Sequence, residues 1–386
     1  MPASPEYKAA LRSRVEESAE AVLAVSHRLH ADPELGWHEV RSAELLAAQL
    51  EALDFTVERG VAGLPTAFVA TRGNSANVVG LIAEYDALPG LGHACGHNII
   101  AAATIGAAAA LAGDVDALGI TLKVIGTPAE EGGGGKVLML DAGIFDDLDL
   151  ALMIHPGPVD SVMARPRAVA HFDIHYSGKA AHAGAYPHLG RNAADAFTVA
   201  QVAIGLLRQQ LPDSVRVHGI VTEAGTAPNA IPDSATGSWY VRASTLEELD
   251  DVFARVTACF AAGALATGCE WAIRETSPRY AEFRNDPELV ELFTANAAVL
   301  GRDMDPGELL PGGMNTASTD LGNVSQRIRA IHPYLGIDSL PAVNHQAEFA
   351  AASVTAAADR AVLDGATLLA QTIADAVSPS PTTPEE

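Results

Sequence analysis

Several things are scarce in this chain of 386 residues, and each scarcity removes a class of protein. Cysteine occurs three times, at Cys95, Cys259 and Cys269, which is too few for a disulfide framework and fits a reducing compartment. Basic residues are outnumbered, 24 Lys and Arg against 48 Asp and Glu, leaving a formal charge of −24. A field of that sign repels phosphate backbones and anionic lipid, so neither nucleic acid nor a membrane surface is an expected partner. The longest apolar run, Ile99 to Ala112, is Ala-rich and shorter than the ~18–20 residues a membrane span needs. The N-terminal stretch MPASPEYKAALRSR has no apolar h-region, so no signal peptide is read and a cytoplasmic location is expected. Missing too are a Gly-x-Ser-x-Gly elbow, a His-Glu-x-x-His helix and an early Gly-x-Gly-x-x-Gly. Serine-hydrolase, zincin and dinucleotide-binding readings therefore lack their motifs.

What is present suffices for folding. Hydrophobic residues make up 48% of the chain, enough for a substantial core, and the length predicts two domains or one large one. Apolar spacing predicts a helix over Ala9–Leu29, stopped at Asp32-Pro33, and another over Val40–Leu53. Strands are expected at Phe55–Val57, Ala67–Thr71, Val78–Ala83, Ile120–Ile125 and Leu150–Ile154, with helices at Ile99–Ala112 and Lys136–Leu140 between them. This alternation predicts an α/β fold, a mostly parallel sheet flanked by helices.

The middle of the chain reads differently. Strands at Ala168–Tyr176, Val215–Thr222, Ser234–Ala243 and Cys269–Glu275, with helices at Asn192–Gln210 and Leu246–Leu265, give the order β-α-β-β-α-β. That is the split βαβ unit of ferredoxin-like domains, which is self-contained. An inserted domain is expected at 165–282, dividing a catalytic domain into 1–164 and 283–386. Beyond it a helix is expected at Pro287–Leu300, a strand at Ile328–Leu335 and a long helix at Phe349–Val377, while 378–386 has the composition of a disordered tail.

Four groups of metal-capable side chains follow the expected strands of the main domain. They are Glu84-Tyr85-Asp86 with His93-Ala94-Cys95-Gly96-His97, then Glu130-Glu131 before four glycines, then His155, then His345. Loops at the carboxyl ends of strands in open α/β sheets converge on the ligand site, so these groups can meet. Cys95 and His97 can offer a thiolate and an imidazole to one ion. The plainer alternative is a small buried cysteine beside helix-capping histidines. Two adjacent carboxylates beside an ion can divide the labour, one ligating and one taking the proton of a water. The Gly-rich run with Lys136 is no phosphate loop, because Glu130 and Val137 stand where a Walker A needs Gly and Ser or Thr. His155 and His345 also read as a strand cap and a helix-start residue. His27, His30, Glu34, His38 and Glu39 read as a solvated helix end.

The strings RLHADPELGWHE, AEYDALPGLGHACGHN, GTPAEEGGGG, SGKAAHAGAYPHLGRNAADA, APNAIPDSA, STDLGNVS and NHQAEFA, in this order, resemble the dinuclear metal amidohydrolases of the aminoacylase/carboxypeptidase-G-like superfamily. The nearest branch is that of p-aminobenzoyl-glutamate, hippurate and auxin-conjugate hydrolases, which includes β-alanyl dipeptidases. The resemblance implies two divalent ions per subunit, zinc before manganese, and a small amide or dipeptide substrate. It implies Cys95 as a bridge, His97 and His155 on one ion, Glu131 and His345 on the other, and Glu130 as general base. Asp86 would orient the HACGH loop. The inserted domain would be a lid and dimerisation domain, with His182 stabilising the oxyanion and Asn229 and Arg242 touching substrate. Many relatives carry Asp where this chain has the uncharged Asn98, so Asn98 is not among the expected ligands. A non-catalytic metal-binding or regulatory relative is the alternative, and the presence of Glu130 argues against it.

Overall fold

The computed structural model describes residues 2–304 and 317–378. The expected disordered tail, apart from Ser378, lies outside them. In chain order the first elements are helices α1 (Pro5–Glu17), α2 (Ala19–Ala31) and α3 (Val40–Ala52), then strands β1 (Thr56–Arg59), β2 (Phe68–Arg72) and β3 (Asn77–Glu84). Next come α4 (His97–Leu111), α5 (Val115–Leu118), β4 (Ile120–Thr127), α6 (Gly135–Asp141), β5 (Leu150–Leu152) and β6 (His155–Gly157). The middle section holds β7 (Ala168–Ser177), α7 (Ala193–Leu207), β8 (Arg216–Glu223), β9 (Ser234–Ala243), α8 (Leu246–Thr267) and β10 (Glu270–Glu275). The chain continues with α9 (Pro287–Val299), α10 (Leu321–Ser325), β11 (Arg329–Ile331), β12 (Tyr334–Gly336), α11 (Ala347–Ala352) and α12 (Ala356–Val377). Two compact units result, Met1–Pro166 with Phe283–Glu386, and Arg167–Glu282.

In the first unit the sheet runs β1-β2-β4-β3-β5-β11. Its β4-β3-β5-β11 part is parallel, while β1 and β2 pair antiparallel at one edge. Buried Val79, Leu81, Val124 and Leu152 are among the side chains that build its core. Helix α4 is buried almost all round, as its HNIIAAATIGAAAAL sequence requires, and packs against both β3 and α12. Its small side chains permit close approach: a Cβ on Gly106 would lie 2.8 Å from Ala366 Cβ. The fold is thus mixed α/β with helices flanking a sheet.

Three expectations need correction. The first helix is two, because the chain leaves helical geometry at Ser18, whose backbone (φ −90°, ψ 1°) ends α1. The expected strand Ile328–Leu335 breaks into β11 and β12 at His332-Pro333, where proline has no N–H for a ladder. The long C-terminal helix is also divided, since Thr355 turns extended and caps α12 by accepting from Ala358 N–H.

The second unit carries β7-α7-β8-β9-α8-β10, with antiparallel strand order β10-β7-β9-β8. Phe172, Ile174, Tyr176, Phe197, Trp239 and Phe260 form its own core. Alternation along β7 and β9 sends Phe172, Ile174, Tyr176 and Trp239 to one face, where they meet Phe197 of α7 and Phe260 of α8.

Candidate active site

Parallel strands end together, and here the ends of β3 and β4 and the segment after β5 deliver the chemistry. Strand β3 finishes at Glu84, and Asp86 follows it. The connection then passes Cys95 and turns into α4 at Gly96, whose φ is +79°. Any Cβ there would sit 2.4 Å from Pro156 Cγ, so glycine is required between Cys95 and His97. After β4 the chain makes a tight loop, with Ala129 in left-handed geometry (φ +54°), and this presents Glu130 and Glu131. His155 opens β6. His345, itself at φ +70°, is held by its N–H donating to the Ala94 carbonyl at 2.8 Å.

These segments bring Cys95, His97, Glu130, Glu131, His155 and His345 to one place. Ligand-capable atoms lie within 4.8 Å of one another in three triplets: Cys95, His97, His155; Cys95, Glu131, His345; and Glu84, His97, Glu130. Cys95 Sγ is 3.7 Å from His155 Nε2, and His345 Nε2 is 3.4 Å from Glu131 Oε1. The first two triplets share Cys95, the first and third share His97, and Glu130 lies 4.0 Å from His97 Nε2.

The donor chemistry fits divalent ions. His97 Nδ1 faces Asp86 Oδ1 at 3.0 Å and His155 Nδ1 faces the Pro156 carbonyl at 2.7 Å. Both acceptors fix the proton on Nδ1 and leave the Nε2 lone pairs directed at the cluster. His97 Nε2 and Glu131 Oε1 are buried and have no hydrogen-bond partner among the described residues. Burial and the nearby Glu131 charge push the Cys95 thiol well above its ordinary range. A thiolate here therefore calls for a cation beside it. Burial, then the Glu84 and Glu131 charges, likewise push the Glu130 carboxyl well up, the direction that makes a carboxylate basic.

Other acids and one lysine surround the cluster. Asp86 accepts from Glu131 N–H at 2.9 Å as well as facing His97, so one carboxylate ties both segments. Lys136, fully buried, reaches Glu84 Oε1 at 2.7 Å and Asp320 Oδ1 at 2.6 Å. Glu84 is thereby committed to an ion pair while lying 3.6 Å from His97 Nε2. Asn98 points away, donating to Ser26 Oγ and the Ser353 carbonyl.

Sequence reasoning missed Lys136, Asp320 and Glu39. The reading of the N-terminal cluster as a solvated helix end is corrected for its two glutamates. Glu34 is buried and accepts from Ser42 N–H and Oγ–H, and Glu39 is fully buried and accepts from Ala129 N–H. No local signal marks them, since α3 begins with the exposed Val40 and Arg41.

His182, Asn229 and Arg242 belong to the second unit. His182 is exposed, its Nδ1 accepting from Gly184 and Ala185 N–H at 3.2 and 3.1 Å. Asn229 lies on the adjoining segment, its carbonyl accepting from Ala183 N–H. Arg242, on β9, donates from Nε to His218 Nε2 at 3.4 Å.

A strand-end cluster of thiol, imidazoles and paired carboxylates can hold divalent ions beside a general base, the equipment of a metal-dependent hydrolase. The chain belongs to Peptidase family M20/M25/M40, whose sequence model matches residues 80–375. It is 37% identical over 379 residues to the Xaa-Arg dipeptidase of Mus musculus, covering 94% of this chain and 87% of that one. It is 34% identical over 275 residues to one of the chains of the p-aminobenzoyl-glutamate hydrolase of Escherichia coli, covering 66% of this chain and 57% of that one. Its fold matches a Bacillus subtilis protein described as a dinuclear metal binding peptidase from the M20 family, with TM-score 0.71 and 21% identity over 94% of this chain and 99% of that one. Among the described residues no helix is long and apolar enough to cross a membrane.

Proposed function

We propose that this enzyme cleaves the amide bond of a dipeptide or N-acyl amino acid at a centre of two divalent ions, Glu130 acting as general base. The observation that carries the reading is the pair of ligand triplets joined at Cys95, with Glu130 beside them. Cys95, His97 and His155 would hold one ion, and Cys95, Glu131 and His345 the other, zinc suiting the thiolate and imidazoles and manganese tolerated by the carboxylate. When bound, the ions supply Lewis acidity toward water and the substrate carbonyl. Glu130 takes the proton of the attacking water and returns it to the leaving nitrogen as the C–N bond breaks. Asp86 keeps the His97 ring and the Glu131 backbone in place throughout.

The second unit, with its β-α-β-β-α-β order, would be a ferredoxin-like lid and dimerisation domain. His182 would donate to the developing oxyanion, and Asn229 and Arg242 would contact the substrate. The Xaa-Arg dipeptidase relatives put dipeptides with a basic C-terminal residue first among candidate substrates, and the −24 charge attracts such molecules. The test is hydrolysis by the zinc- or manganese-loaded protein of a panel holding Xaa-Arg and Xaa-Lys dipeptides, β-alanyl dipeptides, N-acyl amino acids and p-aminobenzoyl-glutamate. Turnover that disappears in Glu130→Gln is expected. Two bound equivalents of metal with no turnover across the panel would leave the non-catalytic reading.

A further inference from the structure

The loop that presents Glu130 and Glu131 is an unfavourable piece of backbone. Ala129 sits at φ +54°, which costs a non-glycine residue of order 1 kcal/mol. The loop then folds back so tightly that Gly133 and Gly134 N–H both donate to the Ala129 carbonyl. A Cβ on Gly135 would lie 1.9 Å from the Pro128 carbonyl oxygen. Such a turn persists only where its surroundings over-determine it.

Three carboxylates from three distant segments do so. Glu39, at the start of α3, accepts Ala129 N–H through Oε1 at 2.8 Å, and its Oε2 accepts Thr66 Oγ1–H at 3.0 Å. Asp86, after β3, accepts Glu131 N–H at 2.9 Å. Asp320, before α10, accepts both Lys136 N–H at 2.9 Å and Lys136 Nζ at 2.6 Å, closing the loop where α6 begins. The preceding segment presses on the same turn: a Cβ on Gly36 would lie 3.0 Å from Ala129 Cβ, and one on Gly133 would lie 2.8 Å from Trp37 Cζ2.

We propose that Glu39 is a positioning residue for the catalytic carboxylate: its Oε1, by holding Ala129 N–H, keeps the left-handed turn closed and so fixes where Glu130 stands, with Asp320 holding the far end of the same loop. This deepens the hydrolase reading, on which the role of Glu130 rests. What matters in this arrangement is an acceptor oxygen at the right reach. Glutamine at position 39 retains that oxygen without the charge, and aspartate retains the charge but is one methylene too short.

Glu39→Gln and Glu39→Asp therefore separate the alternatives. On the metal-free protein, hydrogen–deuterium exchange of the peptide spanning 128–137 is expected to match wild type in Glu39→Gln and to quicken at least tenfold in Glu39→Asp, with α4 unchanged in both. On the metal-loaded protein, Glu39→Asp is expected to lower kcat by about 10–100-fold with KM within about twofold, the scale on which small misplacements of reacting groups act. Glu39→Gln should keep at least half of wild-type kcat. Exchange in the loop that is unaffected by Glu39→Asp, or that quickens equally in Glu39→Gln, overturns the proposal. The exchange result does not depend on turnover: a closed loop in a protein without hydrolase activity would sink the hydrolase reading and leave the clamp standing.

Discussion

Lys136→Met should be among the most damaging single changes outside the ligands. Burial alone would lower the Lys136 ammonium, but the charges of Asp320, Glu84 and Glu130 overcome it and hold Lys136 well above its usual range. Methionine conserves volume and removes the charge, leaving Glu84 and Asp320 facing each other with no counter-ion, both fully buried. Breaking a buried pair by deleting one partner costs about 3–5 kcal/mol. The loss must also depend on pH. Burial has already pushed the Asp320 carboxyl up to about 6 against the pull of Lys136, and without Lys136 it rises further. A carboxylate whose folded value is raised contributes stability that is complete at low pH and lost as pH climbs through that value, at about 1.4 kcal/mol per unit. Guanidinium denaturation of the metal-free protein at pH 5 and pH 8 should give a deficit at least twice as large at pH 8. Adding Asp320→Asn should recover about half of it, since one buried charge is then gone. A deficit below about 1 kcal/mol, or one equal at both pH values, would refute the reasoning that these three charges form one dependent network.

Glu130→Gln should retain both metal equivalents by elemental analysis while kcat falls about 10²–10⁴-fold, because an amide cannot take the water proton; a variant with more than a tenth of wild-type activity removes Glu130 from the base role. Cys95→Ala should lose at least one equivalent after mild chelation, whereas retention of two would make Cys95 a packing residue. In the second unit, burial, then Arg242 and His218, lowers His171 to about 4. A histidine lowered in the folded state contributes stability that is present above pH 6.5 and lost as pH falls toward 4, so His171→Gln should lose about 2 kcal/mol less than wild type between pH 7 and 4.5 in urea melts. Finally, if the second unit dimerises and His182 serves the partner's site, mixing His182→Ala with Glu130→Gln under subunit exchange should restore up to about a quarter of wild-type activity. Exchange verified by mass spectrometry with no recovered activity would leave His182 acting within its own subunit or not at all.

Much of this architecture was legible because it rests on periodicity and punctuation. The strands Asn77–Glu84 and Ile120–Thr127 announce themselves as apolar runs, and HACGH and PAEEG stand where such strands stop. What stayed hidden depends on tertiary neighbours. A glutamate before a helix is ordinarily solvated, and nothing local in ELGWHEV says that Glu39 will be covered and bonded to a backbone amide ninety positions away. Lys136 behaves likewise, because lysine is rarely buried and only Glu84 and Asp320, both distant in sequence, make its burial tolerable. The helix breaks at Ser18 and Thr355 escaped periodicity because the apolar spacing continues across them.

Backbone strain follows the same logic, and half of the strained positions gather around the site. Left-handed residues other than glycine are Trp37, Asp54, Ala62, Ala129, Asp338 and His345 among the described residues. Ala129 precedes the carboxylate pair, His345 is itself in a ligand triplet, and Trp37 abuts the loop between Glu131 and Lys136. Neither alanine nor tryptophan signals a positive φ, and histidine, although enriched there, adopts it in only a small minority of cases, so the sequence does not mark these positions. The surrounding bonds explain why the strain survives: His345 N–H is held by Ala94, Ala129 N–H by Glu39, and Gly96 leaves room for Pro156. Each hold joins a segment bearing one candidate ligand to a neighbouring segment of the site. Relaxing one turn therefore displaces donors on both sides, which is why a change at Glu39, far from any reacting atom in sequence, is expected to register in kcat rather than in the fold.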